Sequence, residues 1–172
     1  ALKVVRREMT DDKDTVTRFF REAKAIAALR SPHTITLYDF GASPDGTLYY
    51  AMELLEGESL SELLDREHNV PPDNAIPIIF QVLESLAEAH EHGILHRDLK
   101  PGNVFLGQLR GRLHVTVLDF GIAKRLDENA MESVTETGLM CGTPAYVSPE
   151  QAMGQAMTPV ADLYSLGVIL YE

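Results

Sequence analysis

The sequence predicts an α+β fold in two parts, and three observations lead to that prediction. Residues 1–54 show the order strand, helix, strand, strand in their hydrophobic patterning. Residues 55–172 are dominated by apolar side chains at helical spacing, with two short strand-like runs among them. The composition, with 45% hydrophobic and 24% charged residues, is typical of a globular protein. We therefore expect a sheet-rich domain over residues 1–54 and a mostly helical domain over residues 55–172.

The elements of the first domain follow from its apolar runs. Residues 1–5 are mostly apolar and carry one lysine, which predicts a buried strand. Residues 11–29 have apolar side chains at helical spacing, acidic residues at the start and Arg30 directly after the end, which predicts a helix. Two strand-like runs, 35–40 and 48–54, are joined by Gly-Ala-Ser-Pro-Asp-Gly, a hairpin-type turn.

The second domain begins with two predicted helices. Ser59 and Glu62 have the spacing of a capping box at the start of a short helix. Pro71 and Pro72 open a long helix, and Gly93 ends it. The predicted apolar face of that helix consists of Ile76, Ile79, Val82, Leu83, Leu86 and Ala87.

Two strands, a loop and a last helix complete the second domain. The runs 104–106 and 115–118 predict short strands around a polar turn of Gly and Arg residues. Residues 126–143 lack periodicity and contain many small polar side chains, which predicts a loop long enough to be functional. The last helix is predicted to begin near Asp162.

The bulk composition excludes several classes of protein. A formal net charge of −11 argues against a nucleic-acid partner, because such binding depends on Lys and Arg neutralising phosphates. Cys141 is the single cysteine, so an internal disulfide is excluded. No apolar run approaches the roughly 20 residues that cross a bilayer, and no signal peptide is present. We therefore expect a cytoplasmic location and no membrane span in this segment.

Both ends of the chain interrupt apolar runs, at residues 1–5 and 166–171. We therefore expect the chain to be a fragment of a larger protein. That parent protein could be anchored in a membrane through a region outside this segment.

Two short motifs carry the strongest functional signal. The sequence His-Arg-Asp-Leu-Lys-Pro-Gly-Asn ends at Asn103, and Asp-Phe-Gly begins sixteen residues later at Asp119. The two motifs supply two carboxylates, one amide and one ammonium group in two loops. These groups belong to Asp98, Asp119, Asn103 and Lys100. Such groups hold Mg²⁺ and a nucleotide phosphate while a hydroxyl is deprotonated. The sequence therefore predicts phosphoryl transfer.

Each of these side chains has an expected role in the transfer. Asp98 would accept the proton of the incoming hydroxyl and orient it. Asn103 and Asp119 offer the hard oxygen ligands that suit Mg²⁺. Lys100, two residues after Asp98, would reach the γ-phosphate from an extended loop.

Two residues of the first domain would complete the phosphate site. Lys3 on the first strand would bind the α- and β-phosphates, and Glu22 on the helix would pair with Lys3. Glu22 lies between Phe19 and Ile26 in the helical pattern, where such a partner is expected. Taken singly, each residue has an ordinary structural explanation, such as a solvated charge. Their joint occurrence in this order favours the functional interpretation.

Three further motifs add to these two. They are Ala-Leu-Lys at the start, Gly-Thr-Pro-Ala-Tyr-Val-Ser-Pro-Glu ending at Glu150 and Asp-Leu-Tyr-Ser-Leu-Gly ending at Gly167. Over its whole length the chain resembles serine/threonine protein kinases, specifically the eukaryotic-like kinases of bacteria. The resemblance implies a two-lobed protein kinase fold with ATP in the cleft. The first domain would be part of the N-lobe, with the lysine strand, the regulatory helix and two further strands. The second would be part of the C-lobe, with the catalytic loop and the activation segment.

The resemblance also assigns residues to the nucleotide and implies ATP and Mg²⁺ as cofactors. Met52 falls at the gatekeeper position, and Glu53 and Leu55 would hydrogen-bond adenine through their backbones. Ala1 and Phe105 would sandwich the adenine ring. The apolar column that links the lobes of active kinases is matched by Ile26, Leu37, His96 and Phe120, with Asp162 as its anchor.

The resemblance further implies the substrate class. Lys100 and Thr143 stand where kinases for Ser and Thr carry these residues and tyrosine kinases carry others. Thr135 and Thr137 lie in a T-x-T sequence like that of bacterial kinases that phosphorylate themselves there, so we predict autophosphorylation at both. The expected partners are ATP, proteins with Ser or Thr hydroxyls, and a second kinase in a possible dimer formed through the parent protein.

The glycine-rich loop expected before Lys3 and the helices expected after Glu172 are missing from this sequence. We therefore expect the isolated fragment to be poorly active or inactive. A pseudokinase, acting as a nucleotide-binding scaffold, is the main alternative, although it usually lacks the lysine, the base or the Asp-Phe-Gly aspartate. A small-molecule phosphotransferase, such as an aminoglycoside kinase, would lack the long segment that ends in Ser-Pro-Glu. The remaining alternative is an α+β domain in which the motifs are coincidental.

Overall fold

The computed structural model describes residues 1–5, 13–120 and 144–172. The predicted loop over residues 126–143 therefore lies outside the described residues.

The described residues form two compact units. The first unit contains the described residues up to Leu29 together with Thr36–Leu54. The second contains Arg30–Ile35, Leu55–Phe120 and residues 144–172. The second unit is thus built from three separate stretches of the described chain.

The first unit is an antiparallel sheet with one helix. Its strands are β1 (Leu2–Val4), β2 (Leu37–Ala42) and β3 (Leu48–Met52), in the sheet order β1–β3–β2. Helix α1 (Lys13–Ile26) contacts β2, where the ring centroids of Phe20 and Phe40 are 6.2 Å apart. The buried apolar residues of the helix and sheet are Phe19, Ala23, Ile26, Leu48 and Tyr50.

The sequence predictions for strand β1 and helix α1 need correction. Strand β1 is not buried: Leu2 and Val4 are 65% and 56% exposed, because β1 lies at an edge of the described sheet and pairs with β3. Helix α1 ends at Ile26, three residues earlier than predicted. The chain tightens there into i to i+3 bonds, and the Leu29 N–H donates to the Ile26 carbonyl at 3.0 Å.

Strand β2 begins at Leu37 and not at Ile35 as predicted. The Ile35 N–H donates to the Val117 carbonyl at 3.0 Å, and the Val117 N–H donates to the His33 carbonyl at 2.8 Å. Residues 33–35 are therefore bonded within the second unit, and the strand can start only after them.

The second unit combines a small antiparallel sheet with helices. Its strands are β4 (Gly57–Ser59), β5 (Val104–Leu109) and β6 (Arg112–Val117), in the sheet order β4–β5–β6. Its helices are α2 (Leu60–Glu67), α3 (Pro72–Glu91), α4 (Pro149–Ala152) and α5 (Pro159–Tyr171). The sequence did not predict β4. Helix α5 begins three residues before Asp162, with a proline in its first turn.

The start of α2 confirms the predicted capping box. The Glu62 N–H donates to Ser59 Oγ at 3.2 Å, and the Ser59 N–H donates to Glu62 Oε2 at 2.7 Å. The proline-opened helix α3 is also confirmed, with His92 and Gly93 after its last residue.

The apolar face predicted for α3 is partly wrong. Its buried residues are Ile78, Val82, Ser85, Leu86 and Ala89. Ile76 is 50% exposed and Ala87 is also exposed. Helix α3 packs against β6 and α5, and these partners select a stripe that is rotated relative to the predicted one.

A carboxylate of α3 holds the segment Arg30–Ile35. Glu88 accepts the N–H of Arg30 at 2.8 Å and the N–H of Ser31 at 2.6 Å. The hydroxyls of Thr34 and Ser85 are 2.6 Å apart, and both residues are buried. These polar contacts explain why the segment belongs to the second unit.

Candidate active site

The hairpin β5–β6 brings two candidate metal ligands to the same end of the sheet. Asn103 directly precedes β5, and Asp119 follows β6 after Leu118, whose N–H donates to the Asn103 carbonyl at 2.8 Å. At the other end, Arg110 and Gly111 both have positive φ, at 53° and 74°. This is the conformation of a two-residue hairpin turn, which fixes the register of the two strands.

Asp98, Lys100 and Asn103 form a compact cluster. The Nζ atom of Lys100 lies 3.1 Å from Oδ2 of Asp98. The Nδ2 atom of Asn103 donates to the backbone carbonyl of Asp98 at 2.7 Å and lies 3.5 Å from its Oδ2. Lys100 has an extended backbone, and the residues Pro101–Asn103 then form a 3₁₀ turn. The Asp98 carboxylate therefore lies next to the Lys100 ammonium, and the Asn103 amide donates to the backbone carbonyl of the same residue.

The backbone around Arg97 is strained and held in place. Arg97 has a φ of 65°, a left-handed conformation that costs a non-glycine residue about 1–3 kcal/mol. Asp162 of α5, which is 1% exposed, accepts the N–H groups of His96 and Arg97, both at 2.8 Å. His90 adds a contact to the same carboxylate, with Nε2 to Oδ2 at 2.8 Å. The buried Asp162 thus anchors the loop that carries Asp98.

His96 is fully buried and bonded through both ring nitrogens. Nε2 lies 2.8 Å from the Leu118 carbonyl, and Nδ1 lies 3.3 Å from the Asp98 N–H. Because the carbonyl can only accept and the N–H can only donate, the neutral ring with its proton on Nε2 satisfies both. Burial lowers the pKa of His96 below its ordinary value, although Asp162 acts in the opposite direction. The ring also lies 4.8 Å from that of Phe120, which agrees with a packing role.

The pKa of His96 predicts acid sensitivity. Its folded-state pKa is lowered, so below about pH 6.5 the unfolded chain binds a proton that the folded chain does not. The stability from neutral His96 is therefore present above that pH and is lost as the pH falls towards the folded-state pKa. We expect the free energy of urea unfolding to fall more steeply with decreasing pH in the wild type than in His96→Gln, by up to about 1.4 kcal/mol per pH unit.

The matched control for this measurement is His92→Gln, because His92 is exposed at the end of α3. This variant should keep the pH dependence of the wild type. Identical slopes for His96→Gln and the wild type between about pH 5 and about pH 7 would contradict the prediction.

In the first unit, the candidates Ala1 and Lys3 lie on or beside β1. Lys3 faces Tyr50 of β3 in the register, and its ammonium is 5.9 Å from the centroid of the Tyr50 ring. The Met52 N–H donates to the Ala1 carbonyl at 2.9 Å, so these two nucleotide candidates are neighbours. Glu22 is half-buried on α1.

The candidates for adenine binding differ in what their backbones offer. The Glu53 N–H donates to the Thr36 carbonyl at 3.0 Å, and its carboxylate accepts the Thr36 N–H at 2.8 Å. Glu53 could therefore bind adenine through its backbone carbonyl and not through its N–H. Leu55 begins the longest stretch of the second unit, and Phe105 is half-buried on β5 opposite Ser59. Thr135, Thr137 and Thr143 lie outside the described residues.

Two residues of this site were missed by sequence reasoning. Gln151 of α4 donates from Nε2 to the Arg97 carbonyl at 2.7 Å. His90 of α3 contacts Asp162, which is 72 positions away in the sequence. Neither residue belongs to a spaced motif with its partner, so only the folded chain brings Gln151 to Arg97 and His90 to Asp162.

Two kinds of feature are absent from the part of the chain that the structure describes. No group of three or more His, Cys, Asp and Glu side chains there could hold a metal ion. Within the same residues, no helix has both the length and the apolarity that a membrane span requires.

Comparison with known proteins identifies the family. The sequence matches the protein kinase domain over residues 1–172. It is 45% identical over 173 residues to the serine/threonine-protein kinase pkn3 of Myxococcus xanthus, covering 99% of this chain and 32% of that protein. It is 40% identical to the serine/threonine-protein kinase PknB of Mycolicibacterium smegmatis, covering 100% of this chain and 27% of that protein. The chain thus spans about a third or less of these relatives.

The fold gives the same result. The crystal structure of the PknI kinase domain of Mycobacterium tuberculosis matches with a TM-score of 0.75 and 31% identity, over 98% of this chain and 60% of that one. The predicted α+β protein kinase fold is therefore confirmed. Kinases of this family in general use ATP and Mg²⁺. The chain belongs to the protein kinase domain family, among the serine/threonine protein kinases of bacteria.

Proposed function

We propose that the protein carrying this chain transfers the γ-phosphoryl group of ATP to the hydroxyls of Ser and Thr residues in proteins. The observation that carries the proposal is the cluster around Asp98. Its carboxylate lies 3.1 Å from the Lys100 ammonium, and its backbone carbonyl accepts the Asn103 amide at 2.7 Å. A base for the hydroxyl and a cation for the phosphate thus lie within one loop.

Asp98 would act on the incoming hydroxyl. Its carboxylate would accept the hydroxyl proton while the oxygen forms a bond to the γ-phosphorus. The bond from that phosphorus to the bridging oxygen of ADP would break at the same time. Lys100 would offset the negative charge of the transferred group and help to hold it in line with the attacking hydroxyl. The protein would form no covalent bond in this step.

Asn103 and Asp119 would hold Mg²⁺. Since Nδ2 of Asn103 donates to Asp98, its Oδ1 is the atom left to bind a metal, and Asp119 offers carboxylate oxygens. Both are the hard oxygen ligands that Mg²⁺ prefers, and the bond from Leu118 to Asn103 keeps them at one end of the hairpin. Bound Mg²⁺ would neutralise charge on the β- and γ-phosphates.

The remaining nucleotide contacts are proposed for residues of both units. Lys3 would bind the α- and β-phosphates, with Glu22 as its partner. The adenine would be bound by Ala1, Met52, Glu53, Leu55 and Phe105.

Substrate choice and regulation are also part of the proposal. Lys100 and Thr143 favour Ser and Thr hydroxyls, and Thr135 and Thr137 are the proposed autophosphorylation sites. A phosphate there would carry about −1.5 to −2 charge at neutral pH and could form charge-assisted hydrogen bonds with Lys or Arg side chains. Dimerisation of the parent protein would allow one copy to phosphorylate the other.

Asp119→Asn is the variant that tests the metal site. Asparagine tolerates the left-handed backbone that Asp119 adopts, with φ 53°, so the change removes charge without adding strain. We expect phosphotransfer with Mg²⁺ to fall by about 100-fold or more, since removal of a single electrostatic group commonly costs about that much. Binding of ATP without Mg²⁺ should change little. The assay uses the full protein that contains this chain, with titration of MgCl₂.

Asp65→Asn provides the control, because Asp65 is exposed on α2. It should leave both activities unchanged. A wild-type protein that binds ATP but transfers no phosphate would favour the scaffold alternative. An Asp119→Asn protein with the Mg²⁺ dependence of the wild type would remove Asp119 from the metal site.

A further inference from the structure

The Arg97–Asp98 peptide group is bonded at both of its ends. Its carbonyl, from Arg97, accepts a hydrogen bond from Gln151 Nε2 at 2.7 Å. Its N–H, from Asp98, donates to His96 Nδ1 at 3.3 Å. Because a peptide group is planar and trans, its carbonyl and N–H point in opposite directions. Gln151 and His96 therefore hold one rigid plane from two sides.

This plane decides where Asp98 points. The peptide joins Arg97, whose φ is 65°, to the α-carbon of Asp98. The preceding N–H groups are already bonded to Asp162. The bonds to Asp162 do not prevent rotation of the Arg97–Asp98 peptide plane. Such a rotation would move the Asp98 carboxylate away from Lys100. The Gln151 bond opposes that rotation.

Gln151 is itself held from behind. It is the third residue of α4, and its N–H donates to the side chain of Ser148, the N-cap residue, at 3.3 Å. Ser148 is fully buried, and Gln151 is half-buried. A fixed helix start therefore presents the Gln151 amide to the catalytic loop.

We propose that Gln151 is a positioning residue for Asp98, acting through the Arg97–Asp98 peptide group. This inference rests on the proposed function, in which Asp98 is the base. It also ties α4, which begins at Pro149 directly after its N-cap Ser148, to the loop that carries Asp98. Small displacements of a catalytic group are costly, since about 1 Å of misplacement can lower a rate by about 100-fold.

The kinetic test uses Gln151→Met in the full protein, which keeps the length of the side chain and removes its donor. We expect kcat to fall by about tenfold, which corresponds to the net free energy of one hydrogen bond. The KM for ATP should stay within about twofold, because no nucleotide contact is removed. Gln151→Lys restores a donor and should recover most of the lost kcat. Gln155→Met, the same change at an exposed position, should behave as the wild type.

The second readout needs no catalysis. Amide hydrogen exchange measured by mass spectrometry should be faster at Asp98 in Gln151→Met than in the wild type, by more than any shift of the urea midpoint explains. Exchange and kcat equal to those of the wild type would overturn the inference. So would a loss of kcat that only follows a lower urea midpoint and is not recovered in Gln151→Lys. If the wild type transfers no phosphate, the proposed function fails, and the exchange rates still decide whether Gln151 holds this peptide.

Discussion

Asp98→Asn should lower phosphotransfer by the full protein by about 10²–10⁴-fold, the range expected for loss of a general base. The amide cannot accept the hydroxyl proton, yet it has nearly the shape of the carboxylate. The contact between Asn103 and the Asp98 carbonyl involves the backbone and should survive the change. ATP affinity should therefore remain within a few-fold of the wild type. The measurement is transfer from Mg²⁺-ATP, with mass spectrometry of the peptide that contains Thr135 and Thr137.

The control for this prediction is Asp73→Asn, at an exposed position in the first turn of α3. Phosphate on Thr135 or Thr137 in the wild type and the control, but not in Asp98→Asn, is the expected result. Phosphate that persists in Asp98→Asn would point to a contaminating kinase or to another base. ATP binding with no transfer by any variant would support the scaffold alternative.

Asp162→Asn should destabilise the protein by about 3 kcal/mol. Each oxygen of Asp162 accepts at least one N–H, from Arg97 at Oδ1 and from His96 at Oδ2. An amide must direct its NH₂ group at one of these donors in either orientation. Leaving one or two buried donors without an acceptor costs about 1–3 kcal/mol each. Because Asp162 is 1% exposed, solvent water is not expected to replace the lost acceptor. The prediction is checked by measuring the free energy of urea unfolding.

The exposed Asp65→Asn again serves as the comparison and should change the free energy of unfolding by less than about 0.5 kcal/mol. A similarly small change for Asp162→Asn would mean that water or a backbone shift replaces the lost acceptor. The anchoring role of Asp162 would then have to be abandoned.

The features predicted correctly from the sequence depend on neighbours along the chain. The capping box of Ser59 and Glu62 spans three residues, and the prolines at the start of α3 act on their own turn. The motif that ends at Asn103 places Asp98, Lys100 and Asn103 within six positions, so their proximity follows from the chain itself. Residue type and spacing are sufficient in all of these cases.

The features that were missed depend on distant partners. Ile76 and Ile78 are both apolar, and only the packing of α3 against β6 and α5 decides that Ile78 is the buried one. The start of β2 was placed too early because Ile35 bonds to Val117 instead of to the sheet of the first unit. Gln151 and Arg97 are 54 positions apart, and no spacing rule connects them. Tertiary contacts of this kind override local patterns.

The attachment of residues 30–35 to the second unit has a consequence during synthesis. This segment leaves the ribosome long before its partners, because Glu88 follows Ser31 by 57 positions and Val115 follows His33 by 82 positions. At about 5–20 residues per second, roughly 4–16 s pass before Val115 is made. Throughout that time the backbone groups of the segment must be satisfied by water or by a chaperone. The second unit can close only after β6 has been made, so a ribosome that stalls before β6 would carry a chain in which residues 30–35 have not yet met their partners.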